Sequence, residues 1–292
     1  MSRRPLVTVL MSTYNDAPYL AESVGSVLGQ TFGDFEFLIV DDGSADGTRD
    51  LLGALRDPRV RVMRNVENLG LTRSLNLGLG AASGQFVARM DADDVCLPER
   101  LARQVEFLRS RPDVGIVGCS RELIDECGRF VAHAQAAEVD VRIRWKCLLG
   151  NPFAHPAVML RLDVLDRNGL RYDEHFRTAQ DYELWTRLLT VTRGANLREP
   201  LLKYRLRSGL SRVHNAEQVS NHDRIAGAAI RQLVPGFVIG EKEVRELRGR
   251  FGGHSVRDTT MDPTDPHWKS KHIELRNAFA ARYDVEPAAL AA

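Results

Sequence analysis

Residues 88 to 101 read ARMDADDVCLPERL, and Asp91, Asp93 and Asp94 fall within four positions after an apolar run. Three like charges at the end of a buried strand repel one another unless water, a cation or a partner answers them. Side chains two apart on an extended strand point the same way. Asp91 and Asp93 therefore share a side, and Asp94 faces away if the strand continues. Two converging carboxylates suit a hard divalent cation, Mg2+ or Mn2+, which keeps open positions for water and phosphate oxygens. In the plainer alternative, Asp94 caps a helix beginning near Pro98 and the other two are solvated.

Two further polar clusters, STYND (12–16) and DDGSADGT (41–48), follow apolar runs of their own. Each taken singly is ordinary turn chemistry. A fourth acidic stretch, AQDYELW, puts Asp181 ahead of Leu184, Trp185 and Leu188. Asp181 can cap that helix.

These residues need a scaffold. Short β-rich runs at 6–12, 35–40, 59–65, 85–91 and 113–119 alternate with helical patterns. The helices carry apolar stripes: Leu20, Val24, Val27 and Leu28; Leu51, Leu52 and Leu55; Leu71, Leu75 and Leu79; Leu101, Val105 and Leu108. Alternating strands and helices imply an α/β fold with a mostly parallel sheet covered on both faces. In such sheets ligands bind at the carboxyl ends of the strands, where the three polar clusters stand. Beyond residue 213 the pattern becomes helical only, with Val219, Ala226, Ile230 and Leu233, then Val244, Leu247 and Phe251, then Trp268, Leu275 and Phe279. The expected division is a catalytic domain at 1–213, split into halves at 1–95 and 96–213, and a helical appendage at 214–292.

Composition narrows the function. The chain has 292 residues, with 40 Lys and Arg against 39 Asp and Glu, so it lacks the basic excess of a nucleic-acid surface. No apolar stretch approaches the ~18 residues of a membrane helix, and the N-terminal residues show no signal-peptide pattern. Cys96, Cys119, Cys127 and Cys147 form no CxxC pair and read as reduced thiols. The expected location is cytoplasmic, with peripheral contact at the inner face of the membrane open. No glycine-rich loop follows the first strand, so neither a dinucleotide fingerprint nor a phosphate loop is present.

The run VTVLMSTYND, SVLGQTFGDFEFLIVDDGSADGT, ENLGLTRSLNLGL and GQFVARMDADDVCLPERL resembles glycosyltransferase family 2, the inverting nucleotide-sugar transferases of GT-A fold. NPFAHPAVMLR and YDEHFRTAQDYELWTRLL resemble the acceptor-side motifs of the same family. The likeness spans about residues 5 to 210. It implies that Ser12, Tyr14 and Asp42 hold the nucleobase and ribose, Asp42 accepting from an imide N–H such as uracil offers. Thr13 and Asn15 then shape the loop, and Asp41 serves the turn. Arg73 would reach the base or a phosphate, or be a solvated helix charge. Asp91 would meet the ribose or metal and Asp93 the metal, Mn2+ or Mg2+. Asp181 matches the catalytic base, with Gln180 where the family usually has glutamate. His155 matches an acceptor-side histidine, and Trp185 belongs to the acceptor-side helix. Arg205, Arg207, Arg212 and His214 lie in a stretch that resembles a segment folding over the diphosphate.

The activity so implied is inverting transfer of a sugar from a nucleoside diphosphate, UDP foremost, to the hydroxyl of a glycan, a lipid-linked saccharide or a small molecule in envelope polysaccharide synthesis. A sugar-phosphate nucleotidyltransferase would need a glycine-rich loop that STYND lacks. A non-catalytic sugar-nucleotide binder would not need Asp91, Asp93 and Asp181 together. The C-terminal helices are open to a homodimer contact.

Overall fold

The computed structural model describes residues 4–207, 216–252 and 260–290. Four parallel strands form the first half of the sheet in the order β3-β2-β1-β4: β1 (Val7–Thr13), β2 (Phe35–Asp41), β3 (Val60–Arg64) and β4 (Phe86–Asp91). Alternation along these strands sorts the side chains into two layers. Val7, Val9 and Met11, Phe37 and Ile39, and Phe86, Ala88 and Met90 face one cluster, covered by α1 (Ala17–Leu28), α2 (Thr48–Ala54) and α4 (Arg100–Ser110). Leu10, Leu38, Val40 and Val87 face the other, beginning with α3 (Leu71–Ala81). Burial on both faces accounts for the nearly continuous apolar runs of β1, β2 and β4, while the edge strand β3 is half-exposed.

The second half joins differently. β5 (Val95–Cys96) pairs with β9 (Arg193–Arg205), and β8 (Met159–Arg161) runs antiparallel between β4 and β6 (Val114–Ile124). β6 then pairs with β9 in parallel and with β7 (Phe130–Ala134) as a hairpin. The parallel arrangement expected from the sequence thus holds across the first four strands, and the described residues form a mixed sheet of nine strands.

The helices α5 (Asp140–Cys147), α6 (Leu162–Arg167) and α7 (Gln180–Val191) cover this half. The C-terminal helices α8 (Ala216–Leu233), α9 (Glu241–Phe251) and α10 (Pro266–Tyr283) continue the same layer. Ile225, Ile230, Leu247 and Phe279 share one apolar cluster with Trp185, Leu188 and sheet residue Leu10. The expected appendage is helical, and it is packed into the core rather than set apart.

Candidate active site

The carboxyl ends of β1, β2, β4 and β9 open onto a cleft of about 500 Å³. Ser12, Tyr14, Asp42, Asp91 and Asp93 all line it. The loop after β1 is shaped locally. Asn15 sits at φ 56°, its Oδ1 accepts from Ala45 N at 2.9 Å, and its own N–H donates to Ser44 Oγ at 3.0 Å. Thr13 Oγ1 donates to Asp16 Oδ2 at 3.1 Å. Asp41 serves its turn, accepting from Ser44 N at 3.0 Å. Gly43 is required there: φ is +76°, and a Cβ would stand 2.7 Å from the Glu67 carbonyl carbon.

Asp42 is buried and already engaged. Its Oδ1 accepts from Asn65 Nδ2 at 2.8 Å and Leu69 N at 2.9 Å, and its Oδ2 from Gly70 N at 2.9 Å. The carboxylate clamps the loop before α3 to the base of the cleft. A carboxylate has about four acceptor sites, so one more donor can still be received.

The aspartate cluster departs from the expected alternation. β4 ends at Asp91, so the chain turns and brings Asp94 back instead of away. Ligand oxygens of Asp91, Asp93 and Asp94 lie within 4.8 Å of one another. Asp94 does not cap a helix: α4 begins at Arg100 after Glu99, and Asp94 Oδ1 accepts from Arg205 N at 2.8 Å. Its Oδ2 is buried and has no hydrogen-bond partner among the described residues. Burial, with Asp91 and Asp16 beside it, pushes Asp93 up to about 6, against the pull of Arg207. Burial, with Asp91 and Asp93, holds Asp94 well above the usual carboxylate range. Converging oxygens, one of them orphaned, and excess negative charge fit a hard divalent cation.

Arg89 was not singled out in the sequence. It is 1% exposed and forms an ion pair with Asp91. A charge inside an apolar strand, on the same face as Asp91 two residues on, was the signal. Its guanidinium also lowers the cost of the Asp181 charge. Asp16 and Tyr204 also line the cleft and were not foreseen as binding residues.

Arg205 is not available to a phosphate. Its Nε donates to Asp93 O at 2.7 Å, Nη1 to Glu126 O at 3.1 Å, and Nη2 to Glu22 Oε2 at 2.6 Å. Arg207 does face the cleft, donating to Asp16 Oδ1 at 3.0 Å and Asp93 Oδ2 at 3.4 Å. Arg212 and His214 lie outside the described residues.

On the other side of Arg89, α7 presents Asp181 in its first turn. The N-cap is Ala179, in the left-handed conformation at φ 61°, so Asp181 is not the cap. Asn151 Nδ2 donates to Asp181 Oδ2 at 2.6 Å. Burial raises the carboxyl, against the Tyr182 N–H, the Asn151 amide and Arg89. A raised carboxylate with a fixed orientation is suited to receive a proton.

The remaining acceptor-side expectations are corrected in part. Trp185 is 0% exposed and packs against Phe153, His155 and Tyr172, so it cannot touch an acceptor. Gln180 is buried. His155 Nε2 is 2.8 Å from Tyr172 Oη, and burial and Arg89 hold its ring neutral. It buttresses the site from within. Arg73 pairs with Glu174 at 3.0 Å on the surface and does not line the cleft. That pair, with Asn76 bonded to Tyr172, ties α3 to the segment leading into α7. Cys96, Cys119 and Cys147 are buried thiols and Cys127 is exposed, none in a disulfide. Among the described residues no helix is long and apolar enough to cross a membrane.

A sheet with this cleft and acidic loop at its strand ends is the GT-A architecture of nucleotide-sugar glycosyltransferases. Residues 8–167 match Glycosyl transferase family 2, and the chain belongs to that family. An uncharacterized glycosyltransferase of Haemophilus influenzae is 32% identical over 234 residues, 75% of this chain and 71% of its own. The O-antigen biosynthesis glycosyltransferase WbnJ of Escherichia coli is 32% identical over 210 residues, 69% of this chain and 80% of its own. Among solved structures, S. aureus TarS 1-349 in complex with UDP-GlcNAc superposes with a TM-score of 0.66 at 21% identity, over 97% of this chain and 83% of that one. The mannosyltransferase PcManGT from Pyrobaculum calidifontis, in complex with GDP-Man and Mn2+, gives 0.56 at 20%, over 99% and 78%. The protein is a glycosyltransferase, and the nucleotidyltransferase and non-catalytic readings fall away.

Proposed function

We propose that this glycosyltransferase moves a sugar from a UDP-sugar to an acceptor hydroxyl by a single, inverting displacement, in the synthesis of an envelope polysaccharide. The observation that carries the reading is the converging Asp91, Asp93 and Asp94 cluster with its orphaned oxygen, linked through Arg89 to Asp181. Tyr14, exposed on the β1 loop, and Ser12 and Asp42 would flank the base and ribose. Asp91 and Asp93 would hold Mn2+ or Mg2+, with Asp94 Oδ2 in reach. Such a cation supplies charge that steadies a departing diphosphate.

Asp181 acts on the acceptor. Its Oδ2 is held by Asn151, and burial has raised its proton affinity. It takes the hydroxyl proton as the oxygen attacks the anomeric carbon, and the carbon–diphosphate bond breaks on the opposite side. Atoms balance without a covalent glycosyl-enzyme. Polysaccharide synthesis is supported by WbnJ, the uridine nucleotide by the TarS complex, and the cation by the PcManGT complex. The test is a panel of nucleotide-sugars assayed for slow hydrolysis with Mn2+ or EDTA, the product anomer read by NMR. Release of UDP that stops in EDTA, with inverted configuration, is expected. Full activity in chelator would sink the metal assignment, and a retained anomer the single displacement.

A further inference from the structure

Among the described residues three that are not glycine adopt the left-handed conformation: Asn15, Ala179 and Asp284. Asparagine and aspartate visit that region because a short polar side chain can bond locally. Asn15 does so through Ala45 N. Ala179, at φ 61° and ψ 19°, has no such side chain, and its Cβ crowds the backbone. It is also the residue from which α7 starts, two positions before Asp181. Its carbonyl accepts an early bond of that helix, from Glu183 N at 3.1 Å. A conformation that the residue itself disfavours persists only where its surroundings impose it.

The surroundings act from two sides. From α3, Thr72 Oγ1 donates to Phe176 O at 3.0 Å. From α8, Asn221 Nδ2 donates to Thr178 Oγ1 at 3.1 Å and, more weakly, to Thr178 O at 3.5 Å. Asn221 is 6% exposed, on the helix that also buries Ile225, Ala226 and Ile230. A buried amide costs free energy unless it is bonded, so a residue serving packing alone would be apolar there. The next residue, His222, sets its ring edge-on to Tyr182 at 5.6 Å, and Tyr182 Oη donates to Cys147 O at 2.7 Å.

We propose that Asn221 is a positioning residue for the transfer reaction: it locks Thr178, so that Ala179 keeps the left-handed turn that aims Asp181 at the acceptor. The inference rests on the reading of Asp181 given above. Asn221 acts through the backbone and does not touch substrate. Thr178 O belongs to the peptide plane that ends at Ala179 N, and rotating that plane changes φ of Ala179. With Thr178 held, the turn has little freedom. Asn151 can orient the Asp181 carboxylate only if the first turn of α7 delivers it to the same place. α8 begins at Ala216, beyond residues 8–167 that match the family, so the C-terminal helices complete the site as well as cover it.

The test is made on the full chain. It follows UDP release from the UDP-sugar that the panel selects, with Mn2+ and with water in place of the acceptor, and deuterium exchange across residues 177–185. Asn221→Ala should lower kcat about tenfold or more, as misplacing a reacting group does. The donor KM and UDP affinity should stay near wild type, and exchange in that stretch should quicken. Adding Ala179→Gly should recover most of both losses, because glycine takes a positive φ without a Cβ penalty. Ala179→Gly alone should change turnover far less than it does beside Asn221→Ala, which makes the two sites non-additive. If Asn221→Ala does not fold, Ala179→Val with Asn221 in place carries the test, since a β-branched residue resists this conformation and should show the same losses. Unchanged kcat or unchanged exchange overturns the proposal, as does a loss that glycine does not repair. With no turnover from any UDP-sugar, exchange and its repair by glycine decide alone. Asp181→Asn in the same assay reports the base separately: near-normal turnover there overturns the reading of Asp181, and exchange still judges the turn.

Discussion

Asp93 and Asp181 are both carboxylates pushed toward their protonated forms by burial, yet the groups around them differ. Asp93 shares its cavity with Asp91 and Asp16, so desolvation is compounded by like charge. Asp181 has the Tyr182 N–H, the Asn151 amide and the distant Arg89, all favouring its anion, and burial still prevails. Crowding of charge is relieved by a multivalent cation, which no single proton matches. Simple desolvation is relieved by one proton. The two shifts thus differ in cause: like charge adds to burial at Asp93, against Arg207, and burial alone raises Asp181.

Asp181→Asn should break the comparison most severely. The variant cannot take a proton, and loss of a general base costs about 10²–10⁴ in rate. UDP affinity and melting temperature should stay near wild type. Near-normal turnover would send the search for a base elsewhere; Glu183 is already ion-paired to Arg187. Asp93→Ala comes next. Mn2+ binding should be lost and UDP affinity in Mn2+ should fall by roughly 1.5–3 kcal/mol, the scale of a charged contact. If UDP affinity survives, the diphosphate charge is answered by side chains alone.

Asp42 sharpens the contrast as a carboxylate already satisfied by three protein donors. Asp42→Asn turns an N–H toward donors and should cost about 1–3 kcal/mol of stability. Thermal unfolding checks this, with UDP calorimetry beside it. A loss of UDP affinity without a loss of stability would assign the carboxylate to the nucleobase and not to the loop.

The smallest effect expected is one of pH. Asp93 has its folded value raised from 3.8 to about 6, so its protonated form favours the fold. That stability is full below about 4 and is lost as pH rises through about 6. In EDTA, the melting temperature of Asp93→Asn should therefore gain on wild type between pH 4 and 7. Mn2+ at pH 7 should reverse the order by stabilising only the wild type. A difference flat with pH would mean that Asp93 carries no strain for a cation to relieve.

The first half of the sheet was legible because β1, β2 and β4 are buried on both faces and strands alternate with helices along the chain. That made the polar ends of β1, β2 and β4 stand out. Arg89 was legible on the same ground, as a charge within the apolar run ahead of Asp91 on the Val87–Asp91 face. The helical spacing of Leu184, Trp185 and Leu188 also marked Trp185 as core, and the motif's position drew it wrongly toward the acceptor. Other features had no local sign. β8 is three residues long and owes its place to β4 and β6 on either side. The Asp93 to Arg207 contact joins residues 114 apart. The return of Asp94 depends on where pairing stops, which periodicity cannot tell.

The shared core of α7 and the C-terminal helices bears on the order in which the chain is made. The helix that carries Asp181 buries Tyr182, Leu184 and Trp185 in a cluster completed by Ile225, Ile230, Leu247 and Phe279. A ribosome adding ~5–20 residues per second takes roughly 3–13 s to pass from Tyr182 to Leu247. The nucleotide-side strands can close early, since their partners are near in sequence. The helix bearing Asp181 must wait with apolar surface uncovered, and a chain that stops short of α9 would be released with that surface exposed to chaperones and proteases.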